Sequence, residues 1–130
     1  MFAFVVDDSA TMRLVLTRHL GALGFDVACA SGGAEAMEFL AGSKVPDLFL
    51  FDWNMPDVTG LDLVAAARKE ARFGRSKILM VTSETDLALM KYALEAGANE
   101  YLMKPVNAEN LQEKLSQVGM ASHPEGGHDH

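Results

Sequence analysis

A doubly wound α/β fold, a parallel sheet covered by helices on both faces, is predicted for this chain by three observations. Short apolar runs alternate with helix-period segments along the whole sequence. The runs are apolar at nearly every position rather than every second one, the pattern of strands buried on both faces. Five strand–helix pairs follow in strict order without an internal repeat, which right-handed crossovers turn into parallel strands between two helical layers.

Phe2–Val6 is the first strand, too uniformly apolar for one wet face. Ser9 is placed to cap a helix running to about Leu23, with Met12, Leu16, Leu20 and Leu23 on one side and Gly24 as its stop. Asp26–Ala30 is the second strand. Ala34–Leu40 is a short helix with Met37 and Leu40 on its apolar side, closed by Gly42. Leu48–Phe51 is the third strand and ends at Asp52. Leu61–Ala71 is helical, Lys77–Val81 is the fourth strand, and Asp86–Ala96 is a helix closed by Gly97. Tyr101–Met103 is the fifth strand, ending at Lys104-Pro105, and Ala108–Val118 is an amphipathic last helix carrying Leu111, Leu115 and Val118.

The strand order expected of such a chain is the flavodoxin-like 2-1-3-4-5. A length of 130 residues suits one domain, read as residues 1–119, followed by a polar, Gly- and His-containing tail over 120–130 that is expected to be disordered. The three tail histidines have no preformed scaffold and are not read as a metal site. No apolar run reaches the roughly 18 residues of a membrane span. The N-terminus lacks a basic segment and cleavage pattern, so no signal peptide is expected. Cys29 has no partner for an internal disulfide, which fits a reducing cytoplasm, and its apolar neighbours suggest a small buried residue. A formal charge of −7 argues against a nucleic-acid binder and favours a protein partner with basic contact residues.

In a sheet of this order, function gathers at the carboxyl ends of the strands beside the reversal of strand order. The first strand delivers Asp7 and Asp8 there, the third Asp52, the fourth Thr82 and Ser83, the fifth Lys104. Two carboxylates about 4 Å apart repel by roughly 4 kcal/mol at an effective dielectric near 20. Lys104 offsets one charge of three. The remaining charge and the all-oxygen donor set favour Mg²⁺, with Mn²⁺ able to substitute. Asp52, ionised at neutral pH without a general base, is the best nucleophile for phosphoryl transfer. Thr82 and Lys104 are placed to engage phosphoryl oxygens, and Asp7 or Asp8 to hold the metal. Singly, each residue has a plainer reading: Asp8 as a helix cap, Thr82 as a turn residue, Lys104-Pro105 as a loop. Their convergence at four strand ends is what argues for a site.

Val6-Asp7-Asp8-Ser9, Phe51-Asp52-Trp53-Asn54-Met55-Pro56, Val81-Thr82-Ser83-Glu84 and Tyr101-Leu102-Met103-Lys104-Pro105 together resemble the response-regulator receiver family of bacterial two-component signalling. The likeness extends over about residues 2–119 and is strongest to CheY-like single-domain chemotaxis regulators. It implies a phosphoacceptor switch rather than a turnover enzyme, with Asp52 phosphorylated by a histidine kinase, a phosphotransfer protein or a small phosphodonor. It implies Mg²⁺ held by Asp7, Asp8, Asp52 and the Asn54 carbonyl, and a switch in which Tyr101 turns inward as Thr82 moves toward the phosphate. Asn54 and Glu84 match positions that tune dephosphorylation, and the Lys104–Pro105 peptide is expected to be cis. Ser83 departs from the small apolar residue of CheY-like proteins.

The segment Asp86–Ala96 carries more apolar surface than one buried face needs. Leu89, Ala93 and Ala96 form one stripe, and Leu87, Met90 and Leu94 a second. The second is expected to be an exposed strip beside Tyr101 and Lys114, contacted by a downstream effector or, on phosphorylation, by a second copy of the chain; a broad core contact is the alternative. His19 is expected to be a packed or surface residue rather than a phosphodonor. Chemotaxis or motility is the leading pathway, with a phosphotransfer intermediate or kinase regulator of another relay as the alternative and a phosphatase among the partners such a circuit admits. A metal-dependent phosphatase is a weak rival, because Asn54 stands where that chemistry needs a second carboxylate. A flavin module is weaker still, since Asp7-Asp8 would repel its phosphate. A receiver degenerate in its acidic set would be a scaffold, but the set here is complete.

Overall fold

The computed structural model describes residues 1–120 of the chain. Five strands, β1 (Phe2–Val6), β2 (Asp26–Ala30), β3 (Leu48–Asp52), β4 (Lys77–Thr82) and β5 (Glu100–Met103), alternate with five α-helices, α1 (Ala10–Ala22), α2 (Gly33–Ala41), α3 (Gly60–Arg68), α4 (Met90–Ala96) and α5 (Ala108–Gln117). All neighbouring strands pair in parallel, in the order β2-β1-β3-β4-β5. The predicted fold class and order are therefore observed.

Because successive strand residues face opposite ways, the uniform apolar runs split into two cores. Phe4, Val6, Phe49, Phe51, Ile78 and Met80 face α2, α3 and α4. Ala3, Val5, Leu48, Leu50, Leu79, Val81 and Leu102 face α1 and α5, meeting Leu16, Leu20, Leu111 and Leu115. Ser9 caps α1 as predicted, its hydroxyl accepting from the Met12 N–H at 3.2 Å. Thr59 and Asp62 close α3 with a reciprocal capping box.

Several sequence expectations are corrected. The helix read as Leu61–Ala71 stops at Arg68, and a 3₁₀ turn at Ala71–Phe73 follows. That early stop folds Phe73 back into the core, edge-on to Phe49 at 5.3 Å. The Arg68 guanidinium then donates to the carbonyls of Phe73, Ser76 and Gly97 and to Asn99 Oδ1, at 2.8–3.0 Å. The segment read as one helix over Asp86–Ala96 is a 3₁₀ stretch, Glu84–Leu89, continuing into α4. Met37 is exposed, since Gly33, Ala36 and Leu40 already fill the core-facing side of α2 and the next residue is turned about 100° away. Cys29 is exposed rather than buried: β2 is the sheet edge, and the sulfur lies 3.4 Å from Thr17 Oγ1 at its margin. Met120 belongs with the domain, for its N–H donates to Leu115 O and its side chain packs in the α1–α5 core. The expected disorder of the tail beyond it lies outside the described residues.

Candidate functional site

The three central strands end at one edge of the sheet, and their terminal residues build an acidic pocket. Asp7 follows β1, Asp52 closes β3, Thr82 closes β4, and all three are buried. Asp8 is exposed at the rim. One carboxylate oxygen from each of Asp7, Asp8 and Asp52 lies within 4.8 Å of the other two. Lys104, reached through β5, brings its Nζ to 3.3 Å from Asp52 Oδ1 and 3.8 Å from Asp7 Oδ2.

Local structure explains why the acids stand free. Ser9, not Asp8, caps α1, so the Asp8 carboxylate is not committed to the helix. Asp7 Oδ1 accepts the Ser9 N–H at 2.9 Å, while its carbonyl accepts from Arg13 Nη1 at 2.7 Å. Asp7 Oδ2 is buried with no hydrogen-bond partner among the described residues. A buried carboxylate oxygen left without a partner costs free energy unless something else satisfies it. It lies 3.8 Å from Lys104 Nζ, the ammonium that also meets Asp52 Oδ1. Three hard oxygen donors, a net excess of negative charge and an orphaned oxygen fit a hydrated divalent cation of the Mg²⁺ kind.

Electrostatics carry the same message. Burial pushes the Asp52 carboxyl up to about 6, the neighbouring Asp7 charge adds to the shift, and Lys104 opposes it. Asp7 is likewise raised above the usual carboxylate range by burial, against the pull of the Ser9 N–H and of Lys104. Lys104 alone thus leaves the pocket short of positive charge.

The backbone around Asp52 is tightly specified. The Trp53 N–H donates to Val81 O at 2.9 Å, the Asn54 N–H reaches Asp52 Oδ1 at 3.4 Å, and the Gly60 N–H donates to Trp53 O at 3.0 Å. A Cβ on Gly60 would sit 2.8 Å from Asp52 O and 2.3 Å from the Met80 terminal methyl, so only glycine lets α3 start this close to the strand end. Asn54, on the loop after β3, and Glu84, the first residue of the 3₁₀ stretch after β4, are exposed. Register pairs Asp52 with Val81, which puts Thr82 one step beyond the level of Asp52 on the adjacent strand. Its hydroxyl donates to Ser83 O at 3.2 Å, and the Lys104 N–H donates to Thr82 O at 2.7 Å. The Lys104–Pro105 peptide is cis.

The sequence singled out Tyr101, Lys114, Leu87, Met90 and Leu94 as a surface, and the structure divides them. Tyr101 is half-buried on β5, with Lys114 Nζ 4.6 Å from its ring centroid and 3.5 Å from Glu100 Oε1. Leu94 is 39% exposed, but Met90 is only 2% exposed and Leu87 packs against the core. Met90 is therefore a core residue, and Leu89, assigned to the buried stripe, faces outward. The 3₁₀ stretch accounts for Leu89, since three residues per turn breaks the phase that a continuous α-helix would give it with Ala93; within α4 the buried side runs through Met90 and Ala93 and leaves Leu94 at its margin. Tyr92, 48% exposed and overlooked in the sequence, joins Leu89 and Leu94. Arg13 was also overlooked as a support of Asp7. Its only sequence signal is its position six residues on, where the first turns of α1 bring it back over the strand end.

Comparison with known proteins accounts for this arrangement. The family model described as "Response regulator receiver domain" matches residues 3–116. The chain is 43% identical over 119 residues to Chemotaxis protein CheY1 of Helicobacter pylori, covering 91% of this chain and 96% of that protein. Among solved structures, the chemotaxis response regulator CheY4 of Vibrio cholerae superposes with a TM-score of 0.82 at 32% identity, covering 90% of this chain and 97% of that one. A response regulator from Burkholderia pseudomallei, solved with a phosphorylated aspartic acid, a calcium ion and citrate, superposes with a TM-score of 0.75 at 27% identity over 85% of this chain and 63% of that one.

Proposed function

The chain belongs to the response regulator receiver domain family, whose members act in two-component signalling as phosphoacceptor switches, and on that premise we propose that Asp52 is its phosphoacceptor. The observation that carries this reading is the cluster of Asp7, Asp8 and Asp52 oxygens within 4.8 Å, faced by Lys104 at 3.3 Å from Asp52. An Asp52 carboxylate oxygen attacks the phosphorus of a phosphohistidine or acyl phosphate. The bond from phosphorus to the donor breaks, and its electron pair leaves with the donor. Water later cleaves the new acyl phosphate and restores the carboxylate.

Asp7, Asp8, Asp52 and the Asn54 carbonyl would hold Mg²⁺, which when bound supplies positive charge for the phosphoryl oxygens. Lys104 keeps Asp52 oriented and neutralises another oxygen, and Thr82 donates to a third once its hydroxyl leaves Ser83 O. Asn54 and Glu84, flanking the mouth, set access of water to the phosphoryl group. Rotation of Thr82 frees space beside Tyr101, whose ring then biases the surface made by α4, β5 and α5 between two arrangements. Leu89, Tyr92, Leu94, Tyr101 and Lys114 supply the contact area for an effector protein. Likeness to chemotaxis proteins over almost their whole length supports a role in chemotaxis or motility. The partners are then a histidine kinase upstream and an effector downstream, in the cytoplasm; among the described residues no helix is long and apolar enough to cross a membrane.

Incubation with acetyl phosphate and Mg²⁺, followed by intact-mass measurement, tests the proposal. A mass gain of one phosphoryl group that vanishes in Asp52→Asn is expected. A gain that persists in Asp52→Asn, or none in the wild type, overturns it.

A further inference from the structure

Resting on the reading that Asp52 and the Asn54 carbonyl hold Mg²⁺, we infer that Asp57 is a positioning residue that fixes the metal-binding loop by tethering it to the start of α2. The loop Trp53–Thr59 carries the Asn54 carbonyl. Its ends are anchored by the Trp53 and Gly60 hydrogen bonds to Val81 O and Trp53 O. Between them, Asn54–Asp57 form no backbone–backbone hydrogen bond among the described residues. Met55 is buried and holds one point of the loop by its side chain. Asp57 holds another by charge.

The Asp57 carboxylate accepts the Gly33 N–H at 3.1 Å on both oxygens, the Ala34 N–H at 3.3 Å and the Val58 N–H at 3.0 Å. The first two are N–H groups at the start of α2, which have no partner within the helix and favour an anion. These contacts, the Gly33 N–H first, hold the Asp57 carboxyl below the usual carboxylate range. An independent feature marks the same junction. A Cβ on Gly33 would lie 2.2 Å from Val58 Cγ2 and 2.9 Å from Val58 Cγ1, so the loop can lie on α2 only because residue 33 is glycine. Both sides of the contact are thus fitted to each other, although 24 residues separate Gly33 from Asp57.

A backbone carbonyl binds a metal well only if the loop holds it in place before the ion arrives, and removing a group that orients a ligand commonly costs ten- to hundredfold in affinity. Trp53, the only tryptophan, sits between Asp52 and Asn54 and is placed to serve as the emission probe of Mg²⁺ binding. The test is a Mg²⁺ titration of the full chain and of Asp57→Ala, Asp57→Asn, Gly33→Ala and the Gly33→Ala/Val58→Ala pair. Asp57→Ala is expected to weaken Mg²⁺ by about tenfold, and Asp57→Asn, which keeps one acceptor oxygen, by less. Gly33→Ala pushes the loop off α2 and weakens Mg²⁺ with Asp57 intact; Val58→Ala in the pair removes the two closest contacts, leaves the residue 58 Cβ at 3.0 Å, and recovers part of the affinity. A residue that merely stabilised α2 would change the unfolding midpoint and leave these affinities alone. Should Asp57→Ala not fold, the Gly33→Ala series decides by itself. Wild-type Mg²⁺ binding with unchanged affinity in the folded variants overturns the inference alone. A wild-type protein with no saturable Mg²⁺ response overturns the metal reading, and this inference with it.

Discussion

Asp52 is held at a cost that its own chemistry explains. Its carboxyl titrates at about 6 in the folded chain because it is buried beside Asp7, against an ordinary value of 3.8. A raised folded-state value means the native protein binds this proton more tightly than the unfolded chain does. The stabilisation is complete below about pH 4 and is lost as pH rises through about 6. Without Mg²⁺, Asp52→Asn should therefore be more stable than the wild type at pH 7.5, by up to about 3 kcal/mol. The gap should narrow steadily as pH falls toward about 4. Urea unfolding of both proteins across that range checks this. A gap that widens in acid would mean that Lys104, rather than burial, governs the carboxylate. Lys104 and the Asp7–Asp8 pair were readable as charges at strand ends. That Asp7 Oδ2 is the atom left without a partner was not, since it depends on Ser9 satisfying the other oxygen.

At the scale of elements, α4 shows how a short irregular stretch redistributes function. Apolar residues at Leu87, Leu89, Met90 and Leu94 promised two stripes, but a helical wheel drawn through Glu84–Leu89 assumes a rotation per residue that a 3₁₀ turn does not have. Met90 goes to the core with Ala93, and Leu89, Tyr92 and Leu94 to solvent. Met90→Ala should destabilise the fold by about 2–5 kcal/mol through a core cavity. Leu94→Ala should stay within about 0.5 kcal/mol in stability while weakening effector binding. Denaturant midpoints separate the two, and equal losses would place Leu94 in the core as well. Strands and long helices fared better: β1, β3 and β4 are apolar at almost every position, and α1 and α5 carry both an N-cap and a periodic stripe. The exposed Cys29 was misread because a single strand's composition does not say whether it lies at the sheet's edge.

For the whole molecule, an ion held in the acidic pocket would tie stability to its occupancy. A ligand that binds only the folded chain stabilises it by mass action, by about 2.7 kcal/mol at a hundredfold excess over its dissociation constant. Mg²⁺ at that excess should raise the thermal midpoint, and EDTA should return it. Asp8→Asn, with one donor weakened and its surroundings exposed, should blunt the rise without lowering the metal-free midpoint. Calorimetry of the four combinations tests this, and an equal rise in Asp8→Asn would remove Asp8 from the metal set.

By itself the sequence determined the alternation of strands and helices, the sheet's parallel sense, and which residues leave each strand at the reactive edge. Those follow from local pattern and from handedness rules that act on neighbouring elements. Only the tertiary structure decided which carboxylate oxygen is orphaned, which side of α4 is wet, how Arg68 binds the carbonyls of Phe73, Ser76 and Gly97, and that Asp57 ties the loop after β3 to α2. Some of these are contacts between segments distant along the chain, such as Arg68 with Gly97 and Asp57 with Gly33, and the others are set by how neighbouring residues turn. Whether a polar atom is satisfied or exposed depends on the neighbour that packing brings to it, and no local periodicity encodes that neighbour.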